Sequence, residues 1–285
     1  MKRKLYDATF YIATTLCIII TIAILYSIVG FIISNGIPLL YRQITGLSQE
    51  AILEAEKLWQ MIISTMMLTG LTLLIVLPFA ISSAIYLHEY AKDNLLAQMT
   101  QFCVQTLASI PSIIYGLFGM LIFVRLAAFG MSILAGAATL SAMLLPIIMT
   151  QTENTLKQIP REYREGAAGL GATQFETIMT IILPNAAPGI LIGILLAVGR
   201  ILSESAALLF TVGTFVRMPV NRDSGMLSVL EAGTTLTVRA LIEFKEYGNL
   251  EAAAAIGVIT IGVLVGLNLM SKVISWIFIK KRTPS

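Results

Sequence analysis

Charged residues fall in clusters along this chain, and the stretches between them are long and apolar. Residues 8–41 carry no charge, and neither do 58–87, 94–124, 126–152 or 252–271. Residues 177–216 carry only Arg200 and Glu204. A helix needs about 20 residues to cross the hydrocarbon of a bilayer, and a barrel strand needs roughly half that. The pattern therefore predicts an all-α integral membrane protein, read as a single transmembrane domain over 1–285. Six transmembrane helices are expected, at about 10–33, 60–87, 104–126, 131–151, 186–213 and 252–279. A short turn near Phe129-Gly130 joins the third and fourth. Lys2-Arg3-Lys4 resembles the charged head of a signal peptide. The apolar run behind it is too long for one, and no small-x-small site closes it.

Composition agrees with this reading. Of 285 residues, 57% are hydrophobic and only 12% charged, and mean hydropathy is +0.86. Soluble domains carry about 25% charged residues, so the partner of this surface is a lipid bilayer. The net charge of +3 is small and its Lys and Arg are dispersed, which excludes a nucleic-acid footprint. Cys17 and Cys103 lie in or beside apolar runs and read as small buried hydrophobes, with no disulfide framework. His88 is the one histidine and has no second His or Cys to make a metal site.

Basic residues set the orientation, because they stay on the cytoplasmic side. With the N-terminus inside, the inner segments hold ten Lys and Arg: Lys2, Arg3, Lys4, Lys92, Lys157, Arg161, Arg164, Lys280, Lys281 and Arg282. The outer segments hold seven: Arg42, Lys57, Arg125, Arg217, Arg222, Arg239 and Lys245. Both termini are therefore expected on the cytoplasmic side. The loop 152–185 is then cytoplasmic and the loop 214–251 lies outside, with helical periodicity in the second half of the latter.

The loop 152–185 reads as two short helices around a glycine turn. Pro160 suits a first helical turn, and Glu162 and Glu165 lie near the positive helix end. Gly169 and Gly171 end that helix. Thr173 with Glu176 three residues on forms a capping box for the next one. Phe175, Ile178, Met179 and Ile182 recur at helical spacing, and Pro184 is expected to close this helix before the fifth span.

Glu165-Gly166-Ala167, three residues, Gly171, nine residues, then Ile181-x-Leu183-Pro184 resembles the cytoplasmic signature of permease subunits of bacterial ABC importers. Gly166 stands where that family usually has Ala, at a cost of about 1 kcal/mol in a helix interior. The resemblance implies a type I ABC importer permease fold. Glu165, Gly166, Ala167, Gly171, Ile181, Leu183 and Pro184 then belong to a coupling helix and its flank, which contact an ATPase subunit. No G-x-x-x-x-G-K-[ST] run exists in the chain, so ATP and Mg are expected on that separate subunit and this chain is expected not to be an enzyme.

Arg200 and Glu204 sit in the fifth apolar run at i,i+4, on one helical face that Ala207 and Thr211 extend. A charge at mid-bilayer costs at least about 2.5–3.5 kcal/mol, so such residues face a cavity or a partner. A guanidinium suits tetrahedral oxyanions. The pair reads either as an anion pathway or as a structural ion pair between helices, and the two are compatible. Ser112, Tyr115 and Gly116 share a face of the third span and could line the same path. Gly189/Gly193 and Gly262/Gly266 allow close helix contact, within the bundle or between permeases.

Residues 110–124, IPSIIYGLFGMLIFV, and 199–213, GRILSESAALLFTVG, resemble the permeases of phosphate ABC importers, PstA type. In the second segment Arg200, Glu204, Ser205 and Ala206 match an Arg-x-x-Gly-Glu-Thr-Ala pattern, with Ser203 for Gly and Ser205 for Thr. That resemblance implies a PstC-like second permease as heterodimer partner, two PstB-like ATP-binding subunits and a PstS-like phosphate-binding protein at the outer face. Sulfate, molybdate or phosphonate importers, and an ion-coupled secondary transporter, are the alternatives.

Overall fold

Alanine, leucine and isoleucine dominate the apolar runs, and in a medium without water their backbones must bond internally, which selects helices. The computed structural model describes residues 2–45, 55–91, 94–216, 218–220 and 228–280, and these are nearly all helical. Lys92, Arg217, Arg222, Lys281 and Arg282, used above to orient the chain, lie outside the described residues.

Helix α1 (Lys2–Ile44) packs along α11 (Leu250–Lys280). Gly36 makes that approach possible: a Cβ there would stand 2.6 Å from the Ala254 carbonyl oxygen. Helix α2 (Ala55–Ile85) ends in a π-helical turn, Tyr86–Tyr90. It pairs with α5 (Ile133–Lys157), which also touches α3 (Leu95–Ala108), α4 (Ser112–Gly119), α8 (Leu183–Ser203) and α9 (Ala206–Leu209). The main core forms here, around Leu68, Leu140, Leu144, Ile148, Ile201 and Leu208.

Small residues let α5 take so many neighbours. A Cβ on Gly136 would meet Val212 at 2.1 Å, and one on Gly119 of α4 would meet Thr139 at 2.1 Å. Gly189 and Gly193 of α8 lie against Thr155 and Gln151 in the same way. By contrast, added Cβ atoms on Gly262 and Gly266 would meet nothing within 4 Å among the described residues, so no close helix contact forms there between them. Cys17 and Cys103 are exposed on the apolar surface rather than buried.

Two expected spans are built differently. The segment 104–126 is not one straight helix. It breaks at Ser109–Pro111, and the flanking helical stretches Ala97–Ala108 and Ser112–Leu126 meet at 98°. Pro111 is the cause: it has no N–H for the carbonyl four residues back, and it pushes Ile110 out of the helical region. The carbonyl left over, that of Leu107, accepts from the Tyr115 hydroxyl at 2.8 Å and from the Ile110 N–H at 3.1 Å. Among the described residues, five helices are long and apolar enough to cross a bilayer, and the bent pair makes up to six.

The fifth run, expected over 186–213, stops at Ser203. Ser203, Glu204 and Ser205 all carry side chains that compete for nearby backbone groups. The Ser203 hydroxyl bonds the Arg200 carbonyl at 3.1 Å, and Glu204 is extended (φ −79°, ψ 127°). Beyond it, residues 228–236 cover the start of α5, with Ile133 and Leu134 donating N–H groups to the Glu231 and Val229 carbonyls. Helix α10 (Leu236–Lys245) follows, capped by the Thr235 hydroxyl. It supplies the surface helix expected in that loop.

Candidate functional site

At the other end of α5, the chain turns through the elbow. Helix α6 (Glu162–Gly169) ends in a glycine-based cap. The Ala172 N–H bonds the Ala167 carbonyl at 3.1 Å, and the Gly171 N–H bonds the Ala168 carbonyl at 3.0 Å. This is a Schellman motif, which needs a left-handed residue at Gly171, and its φ is +85°. Helix α7 (Gln174–Thr177) starts at the capping box: the Thr173 hydroxyl accepts from the Glu176 N–H, and the Glu176 carboxylate accepts from the Thr173 N–H at 2.8 Å.

Pro184 does not close this helix. A π-helical turn, Ile178–Ile182, carries α7 into α8 without a break, so Gln174–Ser203 is one apolar helix of 30 residues. The proline sits in the first turn of α8, where a missing N–H is tolerated. Ile181, Leu183 and Pro184 therefore lie on the bundle side of the elbow, half-buried, with Ile182 fully buried beside Leu156 and Ala186.

Glu165 and Gly166 face outward and Ala167 faces in, so α6 presents one side to its surroundings. Leu170 at the tip is 91% exposed, and Tyr163 and Phe175 flank it, also exposed.

Arg164, which sequence reasoning used only as a basic count, anchors the elbow. Its guanidinium reaches the Glu89 carboxylate with Nη2 at 2.6 Å and Nε at 3.1 Å. The same group donates to the carbonyls of Ile159 at 3.1 Å and Leu156 at 3.4 Å. Glu89 lies in the π-helical end of α2, beside His88 at 3.8 Å, and its own carbonyl accepts from Gln174 Nε2 at 2.8 Å. The only sequence signal was an acid beside the lone histidine at the end of an apolar run.

The second group of residues lies at the opposite end of α8. Arg200 is in the last turn of that helix and half-exposed; Glu204 is buried. Their closest approach, Arg200 Nη2 to Glu204 Oε2, is 3.4 Å. They meet although Glu204 has left the helix. Its other carboxylate oxygen accepts from the Ala207 N–H at 3.2 Å, and its carbonyl accepts from the Thr237 hydroxyl at 2.9 Å. Glu204 thus ties three things together: Arg200, the turn α9 and the start of α10. Thr211 and Ala207 are buried against the core rather than extending an open face with Arg200. Gly116 of α4 lies against Ala207, where a Cβ would be 2.7 Å from its Cα. No hydrogen bond or ion pair joins Ser112 or Tyr115 to Arg200 among the described residues, and the Tyr115 hydroxyl proton is committed to Leu107.

The family described as "Binding-protein-dependent transport system inner membrane component" matches residues 77–276. The chain is 31% identical to the probable ABC transporter permease protein YqgI of Bacillus subtilis (strain 168), over 100% of both chains. It is 34% identical to the phosphate transport system permease protein PstA of Haemophilus influenzae, over 95% of this chain and 94% of that one. Among solved structures, it is similar to a bacterial alginate ABC transporter in complex with an alginate pentasaccharide-bound periplasmic protein. There the TM-score is 0.63 at 17% identity, covering 90% of this chain and 92% of the other, which is a likeness of fold.

Proposed function

The chain belongs to the inner membrane components of binding-protein-dependent transport systems, with the fold of type I ABC importer permeases, and from that premise we propose that its substrate is inorganic phosphate. It is an integral inner-membrane protein and a permease subunit, and the ATPase is a separate subunit. The single observation that carries the substrate reading is the Arg200 guanidinium, half-exposed in the last turn of α8 and held by a buried carboxylate. The similarity to a phosphate permease over nearly the whole chain supports it.

In this reading the half-exposed Arg200 offers a planar fork of donors to an oxyanion. Glu204 keeps the fork oriented and lowers the standing positive charge, so that phosphate is held weakly enough to leave. The face of Ser112 and Tyr115 contributes shape beside α9 rather than charge. At the other end, Glu165, Gly166, Ala167 and Gly171 form the ATPase contact, with Leu170 as its apolar tip, and Ile181, Leu183 and Pro184 join that contact to α8. Both termini and the elbow then lie on the cytoplasmic side. The assembly comprises this chain, a PstC-like permease, two PstB-like ATPases carrying ATP and Mg, and a PstS-like binding protein at the outer face.

The test is uptake of labelled phosphate by the complex in proteoliposomes loaded with ATP. Uptake should require internal ATP, survive collapse of the membrane potential, and be competed by unlabelled phosphate more strongly than by sulfate, molybdate or a phosphonate. Preferential competition by one of those anions makes that anion the substrate. Uptake that follows the potential without ATP makes the chain a secondary transporter.

A further inference from the structure

Glu89 carries two polar ties between the elbow and the end of α2. Its carboxylate holds α6 through Arg164, and its carbonyl holds α7 through Gln174. The same arginine grips the end of α5 at Leu156 and Ile159. The carboxylate side chain of Glu89 is 4% exposed and that of Arg164 is 17% exposed. A paired charge this far from water resists separation, because parting it would leave a buried carboxylate without its counter-ion. Four helical elements therefore meet at one forked ion pair. The π-helical turn that carries Glu89 is a local distortion of the kind often found at functional positions.

We propose that the Glu89–Arg164 clamp is the positioning device that carries movement of the elbow into the membrane helices. It makes α6 and α7 travel as one body with the ends of α2 and α5. This rests on the reading that the elbow docks on an ATPase subunit. Displacing α6 pulls on α2 through Arg164 and on α5 through the same guanidinium. The core between α2 and α5 is close-packed, so the shift passes along it toward the far end of the bundle, where Thr65 of α2 bonds the Leu236 N–H at 3.2 Å. Lysine at position 164 would keep the charge but lose the fork that grips two helices at once.

The experiment uses the assembled complex in proteoliposomes, with inorganic phosphate as the probe. Glu89→Gln and Arg164→Lys are compared with the unaltered chain for ATPase co-purification, ATP hydrolysis and phosphate imported per ATP. The expected result is normal co-purification, continued hydrolysis and a fall of about 10-fold in phosphate per ATP, within the usual range of coupling between sites. An unchanged ratio overturns the proposal, and so does a parallel loss of hydrolysis and uptake with a lowered unfolding temperature, which marks a merely structural role. A Leu170→Cys probe, in a chain with Cys17 and Cys103 replaced by Ser, reads the docking separately. No cross-link from it to the ATPase overturns the docking reading and this inference with it. A cross-link with an unchanged ratio overturns this inference alone.

Discussion

At the elbow, Arg164 keeps 17% of its side chain exposed and reaches Glu89 at 2.6 Å; at the far end of α8, Arg200 keeps 50% exposed and approaches Glu204 at 3.4 Å. The carboxylates are alike, each with 4% of the side chain exposed. The arginines differ. Arg164 spends its donors on Glu89 and two backbone carbonyls. Among the described residues Arg200 makes one ion-pair contact, at 3.4 Å, and half of its side chain is exposed. A third pair, Arg239–Glu243 on α10, has its arginine stacked over the Tyr247 ring at 5.5 Å and resembles the first kind. We propose that the sealed guanidinium transmits position and that the open one receives a ligand.

The most drastic way to break this comparison is to remove the sealed arginine. Arg164→Ala leaves the Glu89 carboxylate buried without its partner, and should cost about 3–5 kcal/mol. Thermal unfolding of the purified chain checks it, and a loss under about 1 kcal/mol would put Arg164 in the same class as an exposed pair.

Arg200→Lys tests the open arginine. It keeps a cation near Glu204, so stability should change by less than about 1 kcal/mol. Phosphate uptake should fall by about 10-fold or more, since a lysine offers no planar fork. Uptake equal to that of the unaltered chain would return the pair to a purely structural role.

Two substitutions sharpen the elbow side. Gly171→Val forces a branched residue to a φ of +85°, which should cost about 1–2 kcal/mol and reduce the ATPase recovered with the chain on affinity purification. Gly166→Ala runs the other way. Gly166 is inside α6, and a Cβ there would meet nothing within 4 Å. The change should add up to about 1 kcal/mol to the helix, read as a rise in unfolding temperature.

Much of this was legible along the chain. Charge-free runs placed the apolar helices because hydropathy is a sum over residues that need no partner. The cap at Thr173 and Glu176 and the left-handed turn at Gly171 were readable for a related reason: each is closed by groups within a few residues. Errors came where a local signal had two outcomes. Pro184 was taken as a stop, yet a proline can equally sit in a first turn once a π-helical turn has re-phased the helix before it. The third apolar run, 104–126, reads as one span, yet the chain inside it bends by 98° at Pro111. Glu204 kept its expected partner while losing its helix, because the side chain is long enough to reach across the extended residue.

Distance along the chain marks the boundary of what composition and spacing could tell. Arg164 and Glu89 are separated by 75 positions, and nothing in the local pattern of either selects the other. α1 and α5 show the same boundary: both are apolar and long, yet none of the apolar window of α1 is buried and 67% of that of α5 is. Hydropathy reports the preference for oil over water, and lipid and protein interior satisfy it equally. Only the close approach of small residues, such as Gly136 beside Val212, decided which helix the others surround.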